Sequence, residues 1–172
     1  MSEPYIVFSH GLDGTQWGTK ITAMAEVARR YQLQVESVDY ATMDTAARVV
    51  RLRAVCQQLA GPVILVGSSL GAHVATTVST QVATRGLYLL APAFFMPGFE
   101  QYTPKPAACP VTIVHGWNDE TVPAENSIRF AREYRCTLHL IDADHRLQGN
   151  VDEVCDLLDR FLRRLGIAEH QA

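Results

Sequence analysis

Val63-Ile64-Leu65-Val66-Gly67-Ser68-Ser69-Leu70-Gly71 decides how this chain is read. The apolar, β-branched run Val63–Val66 reads as a buried strand, and the small-residue stretch Leu70–Val82 reads as a helix. Between them G-x-S-x-G leaves room only for a sharp turn with Ser69 at its tip, in a strained backbone conformation. So tight a turn brings the residues two before and two after the serine close to it. A Cβ at either place would clash, and Gly67 and Gly71 remove it. The helix that starts at Leu70 aims its N-terminal amides, with their partial positive charge, at the serine. Strand, turn and helix together form a nucleophile elbow.

Outward from this junction, strand and helix patterns alternate. Tyr5–Ser9, Leu33–Val38, Gly86–Leu90, Val111–Val114 and Thr137–Ile141 read as further strands. Ile21, Met24, Ala25, Val27, Ala28 and Tyr31 share one helical face, and Ala46–Leu59 repeats the pattern with Val49, Val50, Leu52, Val55, Cys56 and Leu59 apolar. Glu125–Tyr134 is opened by Pro123. Val151–Leu165 is amphipathic and is stopped by Gly166, with a frayed tail expected after Ile167. Such alternation predicts an α/β fold: a three-layer sandwich with a mostly parallel sheet of about six strands and helices on both faces. In that architecture the ligand site lies beyond the carboxyl ends of the strands, so candidate residues should follow strands directly.

The 172 residues are one domain's worth, spanning 1–172, and 48% hydrophobic against 19% charged describes a globular chain. A net charge of −3 gives no electrostatic reason to expect nucleic acid or an anionic membrane as partner. No apolar run reaches membrane-span length, and a strand pattern beginning at Tyr5 leaves no room for a signal peptide. Cys56, Cys109, Cys136 and Cys155 are widely spaced and form no C-x-x-C pair. They read as small, mostly buried hydrophobes in a reducing cytoplasm. No histidine has ligand spacing, so no metal is expected.

The test on strand ends is passed. His10-Gly11-Leu12 follows the first strand and Ser69 the third. Asp119 follows the fifth, in His115-Gly116-Trp117-Asn118-Asp119, and His145 follows the sixth. A serine hydroxyl needs an adjacent base, and histidine suits that task. A carboxylate then fixes the imidazole tautomer and stabilises the imidazolium. Backbone N–H groups must receive the oxyanion: Leu70, next after the serine, and Leu12, after His10-Gly11, are the candidates. Asp142 and Asp144 compete with Asp119, but a residue adjacent to the histidine turns poorly onto the same ring, which favours Asp119. Ser68 competes with Ser69, and the glycine spacing fits only Ser69.

The ordered set H-G, G-x-S-x-G, H-G-x-x-D-x-x-V-P and D-H, from Ser9 to His145, resembles the α/β-hydrolase superfamily in a small form without a cap domain, similar to the capless esterases of the YqiA type. The resemblance implies Ser69 as nucleophile, Asp119 as acid, His145 as base, Leu12 and Leu70 as oxyanion donors, and hydrolysis through an acyl-enzyme. Two antiparallel strands common at the start of the family have no counterpart here. The segment that usually carries a lid is reduced to Ala91–Pro110.

The expected activity is therefore that of a serine hydrolase acting on a small-molecule carboxylic ester or thioester, with no cofactor. An amidase or peptidase, a cofactor-free perhydrolase, and a non-catalytic binding module are the alternatives. Trp17, Phe94, Phe95, Trp117 and Leu147, with Met96 and Phe99, lie in loops at the same sheet edge and are expected to line an apolar substrate pocket. His10 is expected to order the oxyanion loop. His115 and His139 read as satisfied strand histidines, His73 as packing, and His170 as part of the tail.

Overall fold

The computed structural model describes residues 4–169, so His170 lies outside the described residues. Its strands are β1 (Tyr5–Ser9), β2 (Gln34–Val38), β3 (Val63–Ser68), β4 (Thr84–Leu90), β5 (Val111–Gly116) and β6 (Thr137–Ile141). The helices are α1 (Thr19–Arg30), α2 (Thr45–Gln57), α3 (Leu70–Ser79), α4 (Ala124–Tyr134) and α5 (Val151–Arg164). Short 3-10 turns at Glu100–Tyr102 and Gln148–Asn150 lie in the connections.

The strands form one six-stranded sheet in the order β2-β1-β3-β4-β5-β6, and every pairing among them is parallel. Side chains alternate across it with period two. Ile6, Phe8, Ile64, Val66, Tyr88, Leu90 and Val114 face α1 and α5. Val7, Leu65, Leu87, Leu89 and Ile113 face the layer of α2, α3 and α4. Both faces are covered, which is why the strands read as continuous apolar runs.

The chain leaves β1 toward β2 and then crosses back to β3 on the other side of β1. That reversal opens a crevice at the carboxyl ends of β1 and β3, where loops diverge in opposite directions. The loop after β1 carries Leu12 and the turn after β3 carries Ser69.

Boundaries differ from the sequence reading by a few residues. Strand β2 starts at Gln34 because the Leu33 N–H returns to the Ala28 carbonyl at 3.2 Å, with Gln32 in the left-handed region at φ 54°. Those bonds close α1 and hold Leu33 out of the sheet. Helix α2 ends at Gln57 because Gln58 and Leu59 bond three residues back, to Val55 and Cys56. Helix α3 ends at Ser79, and the Thr84 hydroxyl donates to the Ser79 carbonyl at 2.9 Å. Strand β4 thereby gains two residues, with a register shift beside Val63/Ile64. Cys56 is buried, whereas Cys109, Cys136 and Cys155 are only half-buried.

Candidate active site

Ser69 sits between β3 and α3 with φ 53° and ψ −118°, a conformation a residue with a Cβ adopts only under constraint. The constraint comes from its glycines. A Cβ on Gly67 would stand 2.5 Å from Ala72 Cα, and one on Gly71 only 2.0 Å from the Ser9 carbonyl oxygen. The glycines therefore press on the start of α3 and on the end of β1, a finer picture than crowding around the serine alone. The Ser69 N–H donates to the Leu90 carbonyl at 2.9 Å, and its own carbonyl accepts from Ala72, His73 and Ala93. The turn is tied to the end of β4, to the first turn of α3 and to the connection after β4.

The Ser69 hydroxyl lies 2.9 Å from His145 Nε2, and His145 Nδ1 lies 2.7 Å from Asp119 Oδ2. A buried carboxylate only accepts, so Nδ1 carries the proton and Nε2 is free to accept from the serine. The Asp119 side chain is fully buried while the His145 ring is 21% exposed. A buried anion has to be compensated by donors. Asp119 Oδ1 accepts from the N–H groups of Thr121 at 2.9 Å and Val122 at 2.7 Å.

His115 adds to this in a way that a satisfied strand histidine does not convey. It is fully buried, and its Nε2 stands 2.9 Å from both the Val122 carbonyl and Asp119 Oδ2. Both neighbours are acceptors, so Nε2 bears the proton, and Nδ1 accepts from the Ser127 hydroxyl at 2.7 Å. Asp119 Oδ2 thus faces two imidazoles. The four-residue spacing of His115 and Asp119 was the signal available for this.

Asp142 and Asp144 point elsewhere. Asp142 accepts from the Asn118 amide at 2.6 Å, and Asp144 receives the N–H groups of Arg146 and Leu147 at 3.0 Å each. Asp144 thus braces the turn that presents His145. Gly116 lets that turn approach β5, because a Cβ there would lie 2.1 Å from the Ala143 carbonyl oxygen. Ser68 closes β3 and is not the partner of His145.

The N–H groups of Leu12 and Leu70 donate to no partner among the described residues. Leu70 opens α3, and the first N–H of a helix has no carbonyl one turn earlier to receive it. Gly11 lies against the serine: a Cβ on it would stand 3.5 Å from Ser69 Cβ. His10 holds this loop, its Nδ1–H donating to the Gly11 carbonyl at 2.8 Å and its Nε2 accepting from the Tyr40 N–H at 3.3 Å.

The expected pocket wall divides. Trp17 and Trp117 are exposed, at 46% and 56%, and Leu12, Phe99 and Tyr102 are exposed as well. Phe95 is half-buried, with the Arg129 guanidinium 3.8 Å from its ring centre. Phe94 and Leu147 have to be corrected. Both are fully buried; Phe94 stacks on Phe130 with ring centres 4.1 Å apart, and Leu147 lies in the core beneath α1 and α5. Their loops turn them inward, so they support the edge and do not form its open surface. A separate concavity of about 120 Å³, lined by Cys109, Tyr134, Cys136 and Arg164 among others, lies at the amino ends of β5 and β6, away from Ser69.

Among the described residues no cluster of three or more His, Cys, Asp or Glu side chains could hold a metal ion, and no helix is long and apolar enough to cross a membrane.

The sequence pattern of the alpha/beta hydrolase family matches residues 6–165. A structure from Xanthomonas campestris pv. campestris, described as a hydrolase of the alpha/beta superfamily, is 33% identical, with a TM-score of 0.87 over 94% of this chain and 99% of that one. Est1E from Butyrivibrio proteoclasticus shares the fold at 19% identity, with a TM-score of 0.81 over 96% of this chain and 89% of that one. The Pyrococcus furiosus esterase Pf2001 shares it at 15% identity, with a TM-score of 0.76 over 95% and 83% of the two chains. No curated protein matches.

Proposed function

The chain belongs to the alpha/beta hydrolase family, and from that premise we propose that it is a serine hydrolase that cleaves carboxylic esters. The observation that carries this reading is the unbroken relay from the Ser69 hydroxyl through His145 to buried Asp119, beside two unpaired backbone N–H groups. Ser69 Oγ attacks the ester carbonyl carbon as its proton passes to His145 Nε2. The carbonyl oxygen becomes an oxyanion received by Leu12 and Leu70. Collapse of the adduct breaks the bond to the alcohol oxygen, which takes the proton from His145 and departs. Water, deprotonated by the same nitrogen, attacks the acyl-serine and releases the acid with Ser69 restored.

A strained serine bonded to a histidine has no use in a pure binding protein, which weighs against that alternative. The exposed apolar rim of Leu12, Trp17 and Trp117 favours an uncharged ester with a short or medium acyl chain in an open cleft.

A fluorophosphonate probe tests the reading. Wild type should be labelled at Ser69 and Ser69→Ala should not, with loss of turnover on an aryl ester panel and an unchanged circular dichroism spectrum. Near-normal ester hydrolysis by Ser69→Ala, or an unlabelled wild type, would overturn it. Thioesters and amides in the same panel then set the leaving-group preference.

A further inference from the structure

Arg48, on α2, is among the largest fully buried side chains, at 1% exposure, yet no carboxylate pairs with it among the described residues. A desolvated cation without a counter-charge is costly, so its neutral partners matter. Its Nε–H donates to the Met43 carbonyl at 3.1 Å. Its Nη1 donates to the His10 carbonyl at 3.2 Å and reaches the Gly11 carbonyl at 3.4 Å. The Tyr40 ring lies 4.8 Å from the guanidinium carbon, and the Tyr40 hydroxyl is tied to Ser9 Oγ at 2.7 Å. Burial draws the Arg48 pKa down and the neighbouring Tyr40 opposes this. An arginine nonetheless stays charged.

The His10 and Gly11 carbonyls belong to the loop that carries Leu12. A peptide unit is planar and trans, so its carbonyl and its N–H point in opposite directions. The Gly11 carbonyl and the Leu12 N–H share one such unit. Drawing the carbonyl back toward Arg48, His10 and Gly14 turns the Leu12 N–H outward, onto the side where Gly11 abuts Ser69. The guanidinium also leaves an uncompensated positive charge behind the loop, which favours negative charge developing in front of it.

We propose that Arg48 is a positioning residue: it pins the His10–Leu12 peptide planes from behind, so that the Leu12 N–H meets the oxyanion and a buried positive charge backs it. This rests on the serine-hydrolase reading, in which Leu12 is an oxyanion donor.

The test uses the full-length protein, with Arg48→Gln and Arg48→Lys, and two independent readouts. In the ligand-free protein, amide order parameters of Gly11 and Leu12 should drop in Arg48→Gln from about 0.85 toward 0.6, while those of α5 hold. In turnover of an aryl ester, kcat should fall roughly 10- to 100-fold, less than loss of a whole oxyanion donor. KM should stay within about threefold and the acid limb of the pH profile should not move, because an oxyanion donor acts in the transition state alone. Arg48→Lys keeps the charge but loses the planar fork, and should fall between.

Unchanged loop order and kcat in Arg48→Gln would overturn the inference. So would a fall in kcat matched by a shift of the acid limb, which would place the defect on His145. If Arg48→Gln does not fold, wild-type kcat and loop order in Arg48→Lys overturn it as well. A wild type inert toward esters whose loop still loosens in Arg48→Gln would remove the hydrolase reading and uphold the hold of Arg48 on the loop.

Discussion

At the scale of single residues, the site is built from exclusions of bulk. Gly71 is the sharpest case, since a Cβ there meets two backbone oxygens, Ser9 at 2.0 Å and His10 at 2.6 Å. Backbone gives way at greater cost than a side chain, so Gly71→Ala should destabilise by about 3 kcal/mol or more in urea denaturation, and should lose most turnover because Ser69 and the Leu12 loop move together. Asp119→Asn keeps size but cannot specify the Nδ1–H tautomer, and kcat should fall by about 10⁴-fold with little change in stability. Ser69, Asp119 and His145 were legible from sequence because each lies at a fixed offset within a short motif. Arg48 was not: a buried cation breaks the rule by which faces of helices are assigned, and α2 carries arginines on its solvent side as well. Loop membership places Phe94 and Leu147 in the expected pocket wall, but it does not say which way a side chain turns.

At the scale of elements, strand and helix existence could be read from apolar periodicity, while their ends could not. The ends are set by local bonds such as Leu33 to Ala28 and Thr84 to Ser79, which periodicity does not encode. The Ala91–Pro110 connection shows how tertiary bonds decide a loop. The Ala93 N–H donates to the Ser69 carbonyl at 3.1 Å, Phe95 N–H to Thr103 Oγ1 at 2.8 Å, the Asn126 amide to the Phe94 carbonyl at 2.9 Å, and Ala107 N–H to Ser79 Oγ at 2.9 Å. Ala91 and Phe95 both have positive φ, at 41° and 50°. The connection is a strap across α3 and α4. Phe94→Ala should therefore cost roughly 3–5 kcal/mol of stability, as large core truncations do. Trp117→Ala, at the exposed rim, should leave stability within about 0.5 kcal/mol and raise KM for aryl esters. Comparing denaturation midpoints with KM for the two variants separates support from contact.

At the scale of the whole molecule, stability should depend on pH through half-buried histidines. His73 is held below its ordinary pKa, first by burial and against the bond its Nδ1–H makes to the Ala93 carbonyl at 3.3 Å. His139 is shifted the same way by burial and by Arg160 and Arg164. The unfolded chain then takes up these protons first as pH falls, so stability is fully present above the unfolded value of about 6.5 and declines below it, toward the folded pKa. Urea denaturation at pH 7.5 and 5.5 should show a smaller pH difference for His73→Asn than for wild type; equal differences would mean that His73 titrates alike in both states.

The sheet topology has a further consequence, in time. Leu12 follows β1, Ser69 follows β3, Asp119 follows β5 and His145 follows β6, with β4 in between and every neighbour reached by a crossover. Parallel pairings join distant parts of the chain and form slowly. An assembly that has β1 to β5 in place but has not docked β6 would be compact, helical and inert. During refolding, recovery of turnover should therefore lag recovery of the far-ultraviolet signal, making hydrolysis a clock for the last strand to arrive.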